Sequence, residues 1–120
     1  MKIAVTSSGQ SLDSPVESRF GRAPYFIVVD TETGAWEVRD NEQNLNAQQG
    51  AGVRPVEIVS KSGARLLITG HFGPKAFKAL RAAGIQVVVG ANGTAGDAVA
   101  ALKSGKLQVA QNADVEGHWA

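Results

Sequence analysis

The chain has 120 residues, 43% of them hydrophobic and 19% charged, which is the size and composition of one compact domain. Lys and Arg number 12 against 11 Asp and Glu, so the formal charge is +1, without the strong basic excess of a dedicated nucleic-acid binder. There is no cysteine, which excludes disulfides, thiolate catalysis, thiolate zinc sites and every iron–sulfur cluster that needs cysteine as its ligand.

The amino terminus, Met1-Lys2-Ile3-Ala4-Val5-Thr6, turns polar at Ser7 and offers neither a signal-peptide core nor a membrane span. The chain therefore reads as a soluble cytoplasmic protein, and the missing cysteines agree with a reducing compartment. Residues 3–6 are β-branched and predict a strand that stops near Ser7, where the turn formers Ser7-Ser8-Gly9-Gln10-Ser11 begin. Residues 12–24 sustain no period of 2 or 3.6 and read as a long ordered loop with one helical turn at residues 15–18. Apolar anchors at Val16 and Phe20 favour a functional loop over a disordered one.

Residues 25–30 and 35–40 are two β-rich runs around Thr31-Glu32-Thr33-Gly34, a hairpin signal with glycine in the turn. In the second run Trp36 and Val38 alternate with Glu37 and Arg39, which predicts one wet face. An amide-rich connector follows at residues 41–50. Val53, Val56 and Val59 stand at helical spacing with Pro55 in the first turn, and Ser62-Gly63 closes that helix. Residues 65–69 form an apolar strand, followed by a helix with Ala76, Phe77, Leu80 and Ala83 on one stripe and Gly84 at its end. Residues 85–89 repeat the strand, and a helix carrying Ala95, Ala98, Val99 and Leu102 runs to Gly105. Residues 107–109 suggest one more edge segment, and residues 111–120 a polar tail after a domain of residues 1–110. Strand–helix–strand–helix order with short linkers predicts right-handed crossovers. The class is α/β, one domain with a mixed, mostly parallel sheet flanked by helices.

In such sheets ligands collect beyond the carboxyl ends of the parallel strands. Three loops qualify: Ser7-Ser8-Gly9, Gly70-His71-Phe72-Gly73-Pro74-Lys75 and Gly90-Ala91-Asn92-Gly93-Thr94. Their glycines and helix amino termini either receive an anion or simply cap helices. His71 is the sole histidine at a strand end and cannot close a metal site alone. It serves either as a backbone-bonded loop residue or as one hydrogen-bond donor or metal ligand to a centre that arrives already assembled. Phe72 beside it is a core plug or an apolar wall. Arg19-Phe20-Gly21-Arg22 sets two guanidiniums around a glycine, suited to an anion or to a salt bridge with Glu17. Lys75 at a helix start opposes the dipole unless an anion sits nearby. No nucleophile–base pair, two-metal acid cluster, GxxxxGK[ST] or strand-following GxGxxG is present.

Taken together, Met1-Lys2-Ile3-Ala4-Val5-Thr6, Arg19-Phe20-Gly21-Arg22-Ala23-Pro24-Tyr25-Phe26, Gly70-His71-Phe72-Gly73-Pro74-Lys75-Ala76 and the strand before Gly90 resemble the dinitrogenase iron–molybdenum cofactor biosynthesis family over residues 1–105. The resemblance implies a ribonuclease-H-like fold without nuclease activity. It also implies a non-enzymatic role in carrying or storing a preformed metal–sulfur cluster, of molybdenum with copper or a related molybdenum or iron–sulfur type. Carried over by motif, the candidate residues are Arg19, Phe20, Gly21 and Arg22 and then Gly70, His71, Phe72, Gly73, Pro74 and Lys75, with His71 as the metal-facing group. Ser8, Gly9, Asn92, Gly93 and Thr94 join them from the loop geometry alone. A sulfide-rich molybdenum cluster is anionic and brings its own sulfur, so a cysteine-free pocket can hold it through amide N–H groups, cations and apolar contact. Partner proteins in cluster assembly or regulation are compatible with this reading, and nucleic acid and membrane are not expected. Two other readings stay open: a small interaction or regulatory module without a ligand, and an enzyme acting on a phosphorylated small molecule with a divalent metal.

Overall fold

In a computed structural model of the chain, residues 1–41, 54–107 and 109 are described. Val53, Gln108, most of the amide-rich connector and the polar tail lie outside them.

The strands are β1 (Lys2–Ser7), β2 (Tyr25–Asp30), β3 (Trp36–Asp40), β4 (Leu66–Ile68) and β5 (Gln86–Val88). The helices are α1 (Arg54–Lys61), α2 (Pro74–Ala82) and α3 (Ala95–Lys103). One sheet holds the strands in the order β3-β2-β1-β4-β5. The β1–β4 and β4–β5 pairs are parallel and the β1–β2 and β2–β3 pairs antiparallel, so only β2 runs against the rest. The reversal comes from the β2–β3 hairpin, where Gly34 (φ +80°) donates its amide to Asp30 while Asp30 donates to Ala35. The loop between that pair is four residues, Thr31 to Gly34, with glycine in the left-handed position.

Alternation along the strands sorts the core into two layers. Ala4, Phe26, Val28, Leu67 and Val87 face α1 and α2, where Val56, Val59, Ala76 and Leu80 cover them. Ile3, Val5, Ile27, Val29, Ile68 and Val88 face α3 and its Ala95, Ala98 and Val99. Among the described residues the helix stripes read from the sequence are the buried ones, although Phe77, Ala83 and Leu102 stay half-buried.

Three details differ from the sequence reading. Residues 15–18 form no helical turn: Pro15 bridges Thr94, Val16 bridges Ser7, and a 3-10 turn falls instead at Phe20–Arg22. The amides of Val16 and Glu17 are captured by Gly93 O (2.9 Å) and Thr6 O (3.0 Å), partners that outcompete a local turn. β3 has no dry face, because it is an edge strand; Trp36 is 43% exposed while Val38 alone reaches the α3 layer. Of the last edge segment the described residues show an antiparallel bridge from Val109 to Val88.

Candidate functional site

The three predicted loops meet at the carboxyl ends of β1, β4 and β5, and backbone bonds join them. His71 N–H donates to Ser18 O (2.7 Å) and Phe20 N–H to His71 O (3.1 Å), so Arg19 and His71 stand side by side as in a parallel ladder. Gly90 N–H donates to Gly70 O (3.2 Å), and Ala95 and Gly96 N–H to Ser14 O and Leu12 O (both 2.9 Å). Below the junction, Thr6 Oγ1 donates to Glu17 O (2.8 Å) and lies 3.1 Å from Thr69 Oγ1, which ties the β1 and β4 ends to the first loop. Gly70 is required there: a Cβ on it would lie 2.5 Å from Ser18 O and 2.8 Å from Ser18 Cα.

Phe20 and Phe72 are core, not wall. Both are at most 1% exposed, Phe20 against Phe26 (5.7 Å between centroids) and Phe72 against Phe77 (5.5 Å). They anchor the two motifs from beneath, with Gly21 and Gly73 also buried. Above them Arg19, Arg22, His71, Pro74 and Lys75 are exposed. The ion pairs among the described residues are Met1 N–Glu32 (3.8 Å) and Arg39–Glu37 (2.9 Å), so neither arginine of the first motif nor Lys75 is neutralised by a described acid. The Glu17 partnership offered by the sequence is to backbone: its Oε1 accepts from Arg19 N–H at 3.4 Å.

The helix starts differ from one another. At α3, Thr94 Oγ1 accepts from Asp97 N–H (3.0 Å) and Thr94 N–H donates to Asp97 Oδ2 (3.1 Å), a capping box. Those bonds hold the Asp97 carboxyl below its ordinary range. With Ala95 and Gly96 also engaged, this helix start has no amide left for a ligand. Ser8 and Gly9 are engaged as well, their amides donating to Pro15 O (3.0 Å) and Ser7 Oγ (3.2 Å). The α2 start is bare by contrast: Gly73 supplies no side-chain cap, Pro74 has no N–H, and no described residue accepts from the amides of Lys75 and Ala76. Asn92 and Gly93 instead line a depression of about 380 Å³ with Asp97, Lys106 and Leu107. Among the described residues no group of three His, Cys, Asp or Glu could hold a metal ion.

Two residues at this end were not singled out by sequence. Tyr25 stands beside Ser7 in the register and its OH accepts from Gln10 Nε2 (3.3 Å). Asn41, 1% exposed, donates Nδ2 to Ala23 O (2.7 Å) and its amide to Pro24 O (2.8 Å), fixing the exit of the arginine motif. Only the β1–β2–β3 register could have pointed to them, since Asn41 looks in sequence like the other amides of its run.

The model of the dinitrogenase iron-molybdenum cofactor family matches residues 1–105. The chain is 43% identical to the orange protein of Desulfovibrio gigas, whose apo-form structure superposes with a TM-score of 0.92 over 95% of this chain and 96% of that one. The solution structure of a putative NifB protein from Thermotoga is 37% identical, with a TM-score of 0.79 over 90% of this chain and 91% of that one. An uncharacterised protein of Methanocaldococcus jannaschii is 27% identical over 110 residues, 90% of either chain. With the matched motifs at the strand ends, the chain belongs to the dinitrogenase iron–molybdenum cofactor family.

Proposed function

We propose that this protein is a non-enzymatic carrier that holds a preformed, anionic molybdenum–sulfur cluster, with or without copper, at the rim where the β1 and β4 loops meet. The observation that carries the reading is the backbone pairing of Arg19 with His71. That pairing sets Arg19 beside His71, in two loops that also carry the exposed Arg22 and Lys75, neither neutralised by a described acid, and the bare start of α2. Guanidinium, ammonium and free amide groups all donate to anions, and the helix dipole adds to them. With no cysteine in the chain, soft ligation must come from sulfide that the guest carries in. His71 then contributes one donor or one ligand, and the packed Phe20 and Phe72 keep the rim in shape. A relative that exists in an apo form and is named for its colour supports a bound chromophore.

Anaerobic mixing with tetrathiomolybdate and copper(I), followed by desalting, tests this. The protein fraction is expected to keep visible absorbance together with molybdenum. Arg19→Ala/Arg22→Ala is expected to lose most of both, by about tenfold in affinity, and added salt to weaken what remains. A colourless, molybdenum-free fraction from the wild-type protein would overturn the assignment.

A further inference from the structure

The two edges of the sheet are treated differently. Beyond β5, Val109 bridges to Val88; at the other end, among the described residues, β3 pairs with β2 alone. Open edges invite pairing and are ordinarily blunted by charge. β3 carries the exposed Trp36 and the charges Glu37, Arg39 and Asp40.

The hairpin fixes which backbone groups point out. Asp30 N–H donates to Ala35 O at 2.8 Å, so that pair is hydrogen-bonded. Bonded and non-bonded pairs alternate along an antiparallel ladder. Glu37 and Arg39 therefore turn their amides to Val28 and Phe26, whereas Trp36 and Val38 turn theirs away from β2.

We propose that two copies of this chain associate through β3, antiparallel about Val38, to make one continuous sheet across a two-fold axis. In that register Val38 faces the partner's Val38 with outward amides on both sides. Glu37 faces the partner's Arg39, and Arg39 the partner's Glu37, in the non-bonded positions where side chains approach most closely. A shift of two residues either way sets Glu37 against the partner's Glu37, or Arg39 against the partner's Arg39. Alternating charge, normally a guard against edge pairing, here selects a single self-complementary register. The Arg39–Glu37 pair now made within the strand at 2.9 Å is exchanged for two across the axis. Trp36 shares a face with Val38 and lies beside the Val38 pair, which accounts for a tryptophan left open at an edge.

Sedimentation equilibrium from micromolar to millimolar protein at low salt is the test, with circular dichroism to verify each fold. The wild-type chain is expected to dimerise. Arg39→Glu is expected to raise the dissociation constant roughly tenfold or more, since two attractive cross-strand pairs become repulsive. Glu37→Arg/Arg39→Glu restores complementarity and is expected to recover the dimer. Val38→Pro removes an outward N–H that the β2–β3 ladder does not use and is expected to abolish it. A wild-type monomer throughout, a dimer indifferent to Arg39→Glu, or a double swap as weak as the single change would each overturn the proposal.

Discussion

Gly70 shows how one residue type can set the geometry of the rim. Its missing side chain lets the β4 loop lie against Ser18, so that His71 can bond to Ser18 O and pair with Arg19. Gly70→Ala puts a Cβ against backbone that cannot swing away, and is expected to destabilise the fold by about 1–3 kcal/mol while loosening cluster retention. Thermal unfolding and retained absorbance measure the two effects. Asp97 gives a pH-dependent prediction. Bonds from Thr94 hold its carboxyl below the ordinary aspartate range, so the stabilisation is complete above the unfolded value and lost as pH falls through the folded one. Asp97→Asn is therefore expected to flatten part of the decline in melting temperature below about pH 4, with no comparable flattening near neutrality. At this scale the sequence displayed the chemistry, Arg19, Arg22, His71 and Lys75, but not the contact. Nothing in a glycine's neighbours announces that a carbonyl from fifty residues away rests on it.

Among elements, the contrast between α2 and α3 separates what is capped from what is kept open. The α3 start is closed by its capping box and by Ser14 and Leu12, whereas α2 begins at Gly73 with a lysine in its first turn. A cation there opposes the dipole. Lys75→Glu is expected to stabilise the apo protein by about 0.3–1 kcal/mol and yet weaken cluster retention. If melting temperature and retention instead rose together, the anion role of this helix start would be lost. Helix stripes, the hairpin and both crossovers were legible because their periods and glycine stops are local signals. The extended course of residues 15–18 was not, because its partners, Gly93, Thr94 and Thr6, are remote in sequence. For the same reason Thr94 and Gly93, which look like anion-loop residues, prove to be a cap and a strand-like seam.

On the scale of the molecule, a small mixed sheet supports one rim that carries the exposed Arg19, Arg22, His71 and Lys75 above two buried phenylalanines, and the family match over residues 1–105 covers all of it. Neither a thiol nor, among the described residues, a three-ligand metal cluster is present, so the carrier role proposed above assigns recognition to charge and amide donors. On that proposal the same residues are expected to be disturbed whatever metal accompanies molybdenum, because they are assigned to the anion and not to the metal. The most direct measurement is an amide-resolved NMR titration of the labelled protein with tetrathiomolybdate and copper(I) under anaerobic conditions. Shifts centred on residues 18–22 and 70–76, with the β3 edge unmoved and likewise the groove that Val56, Lys61, Ala79 and Ala83 line between α1 and α2, are the predicted result. Perturbation confined to that groove or to the depression lined by Asn92 and Lys106, or no perturbation anywhere, would contradict it.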